Sequence, residues 1–197
     1  MRQLTVIEFV TLDGVMQGLG SPDEDRDGDF THGGWGASYG DHVQQEAALE
    51  GMQTTTAYLF GWRTYEKMLD FWPQQPDTNP MAAHLNAVPK YVATRTPADA
   101  QLTWANATIQ GDLEAGVCAA KAEGDATIAV LGSGVLAQEL AALDLIDGYR
   151  LFLHPLLLGT GKRLFRERDQ PLPPRPLQLL SAEPTSTGVL MLSYQCL

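Results

Sequence analysis

Cysteine is nearly absent. Only Cys118 and Cys196 occur in 197 residues, too far apart and too few for a disulfide framework, and without the His or Cys neighbours of a zinc site. Both read as reduced thiols packed in or near the core. Positive charge is scarce too: 13 Lys and Arg stand against 24 Asp and Glu, a formal net charge of −11. Much of such a surface repels phosphate backbones and anionic headgroups, which argues against nucleic-acid and membrane partners. Long apolar runs are also missing. Glu8 interrupts the first apolar stretch too early for a signal-peptide core, and nothing approaches a membrane-spanning length. These absences lead to the expectation of a soluble cytoplasmic protein. With no repeat or obvious linker, and with enough length for a substantial core, residues 1–197 read as one domain.

What is present is an alternation of strand-like and helix-like segments. Leu4 to Leu12 is β-branched and apolar and runs into a turn at Asp13-Gly14. Gly18 to Gly40 is rich in Gly and Asp without periodicity, and so long a stretch reads as a loop over a site. Asp41 to Met52 sets Val43, Ala47, Leu49 and Met52 at helical spacing behind Asp41 as a candidate cap. Thr55 to Phe60 is a strand, Arg63 to Phe71 a helix, Met81 to Ala87 a short helix, and Lys90 to Ala93 a strand stopped by Thr94-Arg95-Thr96-Pro97. Leu113 to Ala122 and Val135 to Leu143 are helical around a strand at Thr127 to Leu131. The last third differs, because Gly148 to His154, Pro176 to Ala182 and Gly188 to Cys196 all look like strands. The pattern predicts an α/β fold: a mixed central sheet flanked by helices, with an antiparallel C-terminal edge.

Three strand ends carry small, polar or basic residues: Gly61-Trp62-Arg63-Thr64, Thr94-Arg95-Thr96, and Gly132-Ser133-Gly134. Ligands of open α/β sheets bind outside the carboxyl ends of strands, where helix N-termini offer N–H groups and a positive dipole end to phosphate. Gly132 to Ala137 has the form G-x-G-x-x-A, but a dinucleotide fold of that type needs an acid about 20 positions on. Position 152 is Phe. Alone, the segment is as well explained by a tight turn; three such turns together favour a phosphate-bearing cofactor. The acidic run from Asp23 to Asp29 begins like a calcium loop. Its twelfth position is Gly34 rather than Glu, however, and no metal site is expected.

The ordered set VTLDGVMQG at 10–18, HGGW at 32–35, FGWRTYE at 60–66, KYVATRT at 90–96, LGSGVL at 131–136 and PLLLGTGKRLF at 155–165 resembles the dihydrofolate-reductase-like family. More narrowly it is similar to bacterial proteins related to the reductase (C-terminal) domain of the bifunctional riboflavin-biosynthesis enzyme. The resemblance implies a sheet of about eight strands and an NADPH site, with NADH not excluded. That site would comprise Gly61, Arg63, Thr64, Thr94, Arg95, Gly132, Ser133, Gly134, Val135 and Leu136. Arg63 and Arg95 would meet the 2′-phosphate or pyrophosphate as charged donors. Trp62 stands where relatives often carry a basic residue, and Ser133 interrupts the Gly-Gly pair that is cis in dihydrofolate reductases, leaving a cis bond open. No zinc-deaminase signature accompanies the reductase motifs.

On the substrate side the resemblance points to Asp13, whose carboxylate could hold a substrate amine or amide, with proton delivery by water or by a carboxylate such as this one; a simple Asp-Gly turn is the competing account. Trp35 is expected to stack on an aromatic substrate as part of a mobile cover, against the alternative of a loop anchored in the core. Glu46 falls near the pterin-binding carboxylate of the family without its local motif, so a solvated helix charge competes there. Tyr65 and His154 read as packed core residues and Glu66 as a helix charge. The implied activity is hydride transfer from NADPH to a small pteridine- or pyrimidine-like heterocycle. The alternative is a non-catalytic nucleotide- or ligand-binding protein that keeps the fold. The C-terminal strands and the Leu156 to Leu158 run suggest a homodimer.

Overall fold

The computed structural model describes residues 1–96, 101–165 and 174–197; Pro97, the expected stop after the third strand, lies outside them. Apolar alternation builds the first strand, β1 (Gln3–Thr11), in which Leu4, Val6, Glu8 and Val10 are all buried while the residues between them are only partly so. The next elements are α1 (His42–Thr54), β2 (Thr55–Gly61), α2 (Trp62–Phe71), α3 (Pro80–Ala87) and β3 (Lys90–Ala93). They are followed by β4 (Ala107–Gln110), α4 (Leu113–Ala122), β5 (Thr127–Val130), α5 (Gly134–Ala142), β6 (Gly148–His154), β7 (Leu177–Pro184) and β8 (Leu190–Cys196).

The strands form an eight-stranded sheet in the order β4, β3, β2, β5, β1, β6, β8, β7. The pairs β1 with β5, β5 with β2, β2 with β3, and β3 with β4 are parallel, whereas β6 with β8 and β8 with β7 are antiparallel. This is the mixed α/β sheet with an antiparallel C-terminal edge that the pattern predicts.

The chain divides into two compact units, one of Met1–Val6 and Ala47–Asp147, the other of Ile7–Glu46 and Gly148–Leu197. The first is a parallel α/β unit whose core includes Leu4, Leu59, Phe60, Tyr65, Ile128, Val130 and Leu140. Its helix starts follow local chemistry. Asn79 accepts from the N–H groups of Met81 and Ala82 ahead of Pro80, and Asp112 accepts from Ala115. The strand β4 goes unseen in the sequence because it is a four-residue edge strand in a polar stretch, entered from Asn106 at φ +64°.

The second unit is built from strands and loops. Its core groups Val15, Phe30 and Trp35, with Phe9, Leu19, Leu156 and Leu158 packed against them. His154, 2% exposed, lies edge-on to the rings of Trp35 and Tyr39, centroids 5.0 and 5.3 Å away, and its Nδ1 is 2.9 Å from the Phe152 carbonyl. It is the packed histidine that the sequence leads one to expect. Asp41 caps α1 as expected, accepting from Val43 at 2.7 Å, and its other oxygen holds Ser186 through backbone and hydroxyl. The apolar spacing in α1 does not become a buried face: the helix has no buried residue, and Leu49 is exposed. Among the described residues no helix is long and apolar enough to cross a membrane.

Candidate active site

In the first unit, β3, β2 and β5 are neighbours in the sheet. Their parallel arrangement brings Gly61, Thr94 and Gly132 to one end of it. The helix α2 starts directly after Gly61, which has no side chain with which to cap it, so the N–H groups of the first turn have no cap from that residue. The helix α5 starts after Ser133, whose hydroxyl accepts from the Leu136 N–H at 3.4 Å. The two turns are joined, because the Gly61 N–H donates to the Gly132 carbonyl at 3.1 Å. A Cβ on Gly61 would stand 2.8 Å from Ser133 Oγ, so the approach requires glycine. Gly132 has φ +79°, and the Gly132–Ser133 peptide is cis, which answers the question that Ser133 raised.

The starts of α2 and α5, joined through their turns, put two positive helix-dipole ends at the same end of the sheet. Arg63 and Thr64 lie in the first turn of α2, Arg63 exposed and Thr64 half-buried. Thr94 accepts from the Thr96 N–H at 3.3 Å, and Arg95 donates to Glu139 of α5 at 2.9 Å. Val135 is 47% exposed, but Leu136 is buried, so its side chain belongs to the core and only its backbone faces the turn. Trp62 is half-buried with its ring 5.7 Å from Tyr65, and the buried Tyr65 hydroxyl accepts from the Trp104 N–H. The first unit thus brings together all ten residues expected around a nicotinamide cofactor, with Leu136 reduced to a backbone role.

The second unit changes the reading of the substrate-side residues. Asp13 is engaged by the protein itself. Its carboxylate accepts from the Thr11 hydroxyl at 2.6 Å and from the N–H groups of Leu158 and Gly159 at 3.2 and 2.8 Å, with Arg163 3.6 Å away. The Thr11 hydroxyl, together with those backbone donors, holds its pKa down to about 2. Asp13 is a clamp tying the end of β1 to the 156–163 loop, where Leu12 and Leu156 also pair through backbone.

Trp35 is likewise engaged by the protein, which favours the alternative of a loop anchored in the core. It is 8% exposed, its ring packs against His154, and its indole N–H donates to the Gln17 carbonyl at 2.7 Å. The loop from Gly18 to Gly40 is held from within. Gln17 Nε2 donates to the carbonyls of Asp25 and Asp27, its Oε1 accepts from the Lys162 N–H, and Lys162 Nζ bridges the carboxylates of Asp25 and Asp27 at 2.8 Å. Those aspartates, part of the run that looked calcium-like, are neutralised by a lysine. Glu46 is exposed on α1, so the solvated helix charge is the account that stands. Cys118 is exposed as well, contrary to the expectation of a packed thiol.

In the sequence Glu8 stands out only as an interruption of an apolar stretch. In the structure it is 8% exposed on the buried face of β1, Oε1 has no hydrogen-bond partner among the described residues, and burial pushes the carboxyl up to about 8. The signal was there: an acid at a position in phase with Leu4, Val6 and Val10.

This sheet and its glycine-turn edge define a dihydrofolate-reductase-like α/β protein. The fold is shared with a protein of Shewanella sp. PV-4 described as a riboflavin biosynthesis protein, 19% identical at a TM-score of 0.69 with 99% of each chain covered. A pyrimidine reductase-like protein of Corynebacterium diphtheriae NCTC is 12% identical at 0.68, over 100% of this chain and 92% of that one. The dihydrofolate reductase of Enterococcus faecalis, complexed with NADP(H), is 16% identical at 0.61, over 98% and 96%. More narrowly, the chain belongs to the RibD C-terminal domain family, whose model matches residues 2–191. No curated protein matches it.

Proposed function

We propose that this chain is a nicotinamide-dependent reductase of a small pteridine- or pyrimidine-like heterocycle, with residues 1–197 acting as one reductase domain. The observation that carries the reading is the joined pair of turns at Gly61 and Gly132–Ser133, with Arg63 and Arg95 beside them. NADPH, the cofactor named with the Enterococcus enzyme, fits the donor set: helix N-termini for pyrophosphate and two arginines for further phosphate charge. The bound cofactor would supply the hydride. This chain's residues would hold and orient it, the Gly61 and Gly132 turns by close backbone approach and Thr64 and Thr94 by hydroxyl contacts.

The substrate class rests on family membership and on the reductase-like relatives. Titrating NADPH against intrinsic fluorescence tests cofactor binding, and following nicotinamide absorbance over a dihydropterin and aminopyrimidine panel tests turnover. Binding without turnover on any compound would favour the second reading, a ligand-binding protein that keeps the fold. That reading draws on one observation, the engagement of Asp13 as a clamp.

A homodimer is part of the proposal. It is supported by β7, an outer strand whose Leu177, Leu179 and Leu180 are 40–59% exposed. A cytoplasmic location accords with Cys118 and Cys196 forming no disulfide with each other.

A further inference from the structure

NADH and NADPH differ only at the adenosine ribose, which carries a 2′-hydroxyl in one and a dianionic 2′-phosphate in the other. A carboxylate accepts a hydrogen bond from the hydroxyl and repels the phosphate, whereas an arginine does the reverse. The cofactor edge holds one of each in contact. Arg95, two residues beyond the end of β3, donates from Nη2 to Glu139 Oε1 of α5 at 2.9 Å. The pair joins the segments that follow β3 and β5, with β2 and its Gly61 turn lying between those strands. Both partners are open to solvent, at 85% and 44% side-chain exposure, so the contact is weak and a phosphate can displace it. Displacement nevertheless leaves the Glu139 charge beside the incoming dianion.

We propose that Glu139 sets the dinucleotide preference of this chain, occupying Arg95 and thereby holding NADPH binding down towards that of NADH. The proposal rests on the cofactor reading above. In it Arg95 is the receiver of the 2′-phosphate, and Arg63, in the first turn of α2, serves the pyrophosphate that both dinucleotides share.

The test is a titration of NADH and NADPH, by quenching of protein fluorescence, against the full-length wild-type chain and three variants: Glu139→Gln, Arg95→Gln and Arg63→Gln. Glu139 and Arg95 sit at the surface, so their amide replacements leave the core intact, and circular dichroism checks each variant. Glu139→Gln is expected to tighten NADPH by about fivefold, the scale of an exposed charge contact, and to leave NADH unchanged or slightly weaker. Arg95→Gln is expected to weaken NADPH alone, and Arg63→Gln to weaken both alike. If the wild-type chain binds both dinucleotides and the NADPH-to-NADH ratio is the same in Glu139→Gln, the proposal is overturned while the cofactor reading survives. If the wild-type chain binds neither, both fall.

Discussion

Burial of Glu8 leaves its carboxyl protonated in the folded chain up to about pH 8, against an ordinary value of 4.5 once unfolded. Between those values the folded state holds the extra proton. The Glu8 contribution to stability is therefore complete below pH 4.5 and is lost as pH rises through 8. Glu8→Gln removes the titration and is expected to raise the melting temperature at pH 8 by at least about 4 °C relative to wild type, and by little at pH 4.5. Thermal scans across that range decide it; equal shifts at both pH values would show that the carboxyl does not titrate there.

Asp13 has the opposite sign. Its pKa is lowered to about 2, so its contribution is present above pH 3.8 and lost as pH falls towards 2. Asp13→Ala strips acceptors from Leu158 and Gly159 and is expected to cost about 1.5–3 kcal/mol in urea melts at pH 7. In a turning-over enzyme, Asp13→Asn is expected to leave the pH profile of kcat in place; loss of a limb of that profile in the variant would make Asp13 the proton donor.

At the scale of elements, the contact between the start of α2 and the start of α5 is testable as a pair. Gly61→Ala forces a methyl group to within 2.8 Å of Ser133 Oγ, while Ser133 Cβ stays 3.6 Å away. The single substitution is expected to lower stability by about 1–3 kcal/mol through overpacking. Adding Ser133→Ala, which alone loses the α5 cap at about 1 kcal/mol, should recover part of that loss. A double-mutant cycle measures the coupling, and strict additivity would mean that a methyl group at position 61 does not meet the Ser133 hydroxyl.

The long loop is the other element-scale case. Gln17 is 4% exposed and ties the loop to itself and to Lys162. Gln17→Ala is therefore expected to raise the rate of limited proteolysis between residues 18 and 34 severalfold, whereas the wild-type loop resists cleavage. A wild-type loop cut as fast as the variant would restore the mobile cover.

At the scale of the whole molecule, charge and edge pull in different directions. A net charge of −11 keeps copies apart, yet β7 presents Leu177, Leu179 and Leu180 to solvent at the end of the sheet. Sedimentation of the wild-type chain is expected to give a dimer, and Leu179→Lys with Leu180→Lys a monomer of unchanged circular dichroism. A wild-type monomer at micromolar concentration would refute the dimer.

Much of this architecture was legible in the order of residues. The helix α4 matches its expected bounds, Leu113 to Ala122, because Asp112 caps it and apolar residues recur at helical spacing; β6 matches its own for the corresponding reason in a strand. The turn segments at Gly61, Thr94 and Gly132 were identifiable because helix starts, glycine turns and strand ends are written in neighbouring residues. Short-range spacing and turn chemistry therefore carry the alternation of elements, the fold class and the glycine-turn edge of the sheet.

The tertiary structure decided which partner each polar group takes. Asp13 looked like a substrate ligand until the fold brought it Gly159, 146 positions away, and Trp35 looked like a cover until Gln17, 18 positions back, claimed its indole N–H. Arg95 meets Glu139 across 44 positions. Glu8 is an ordinary acid until β1 is buried within the sheet. The physical reason is that a carboxylate's protonation and a ring's freedom depend on nearby donors and on exclusion of water, and for these residues both are supplied by chain remote in sequence.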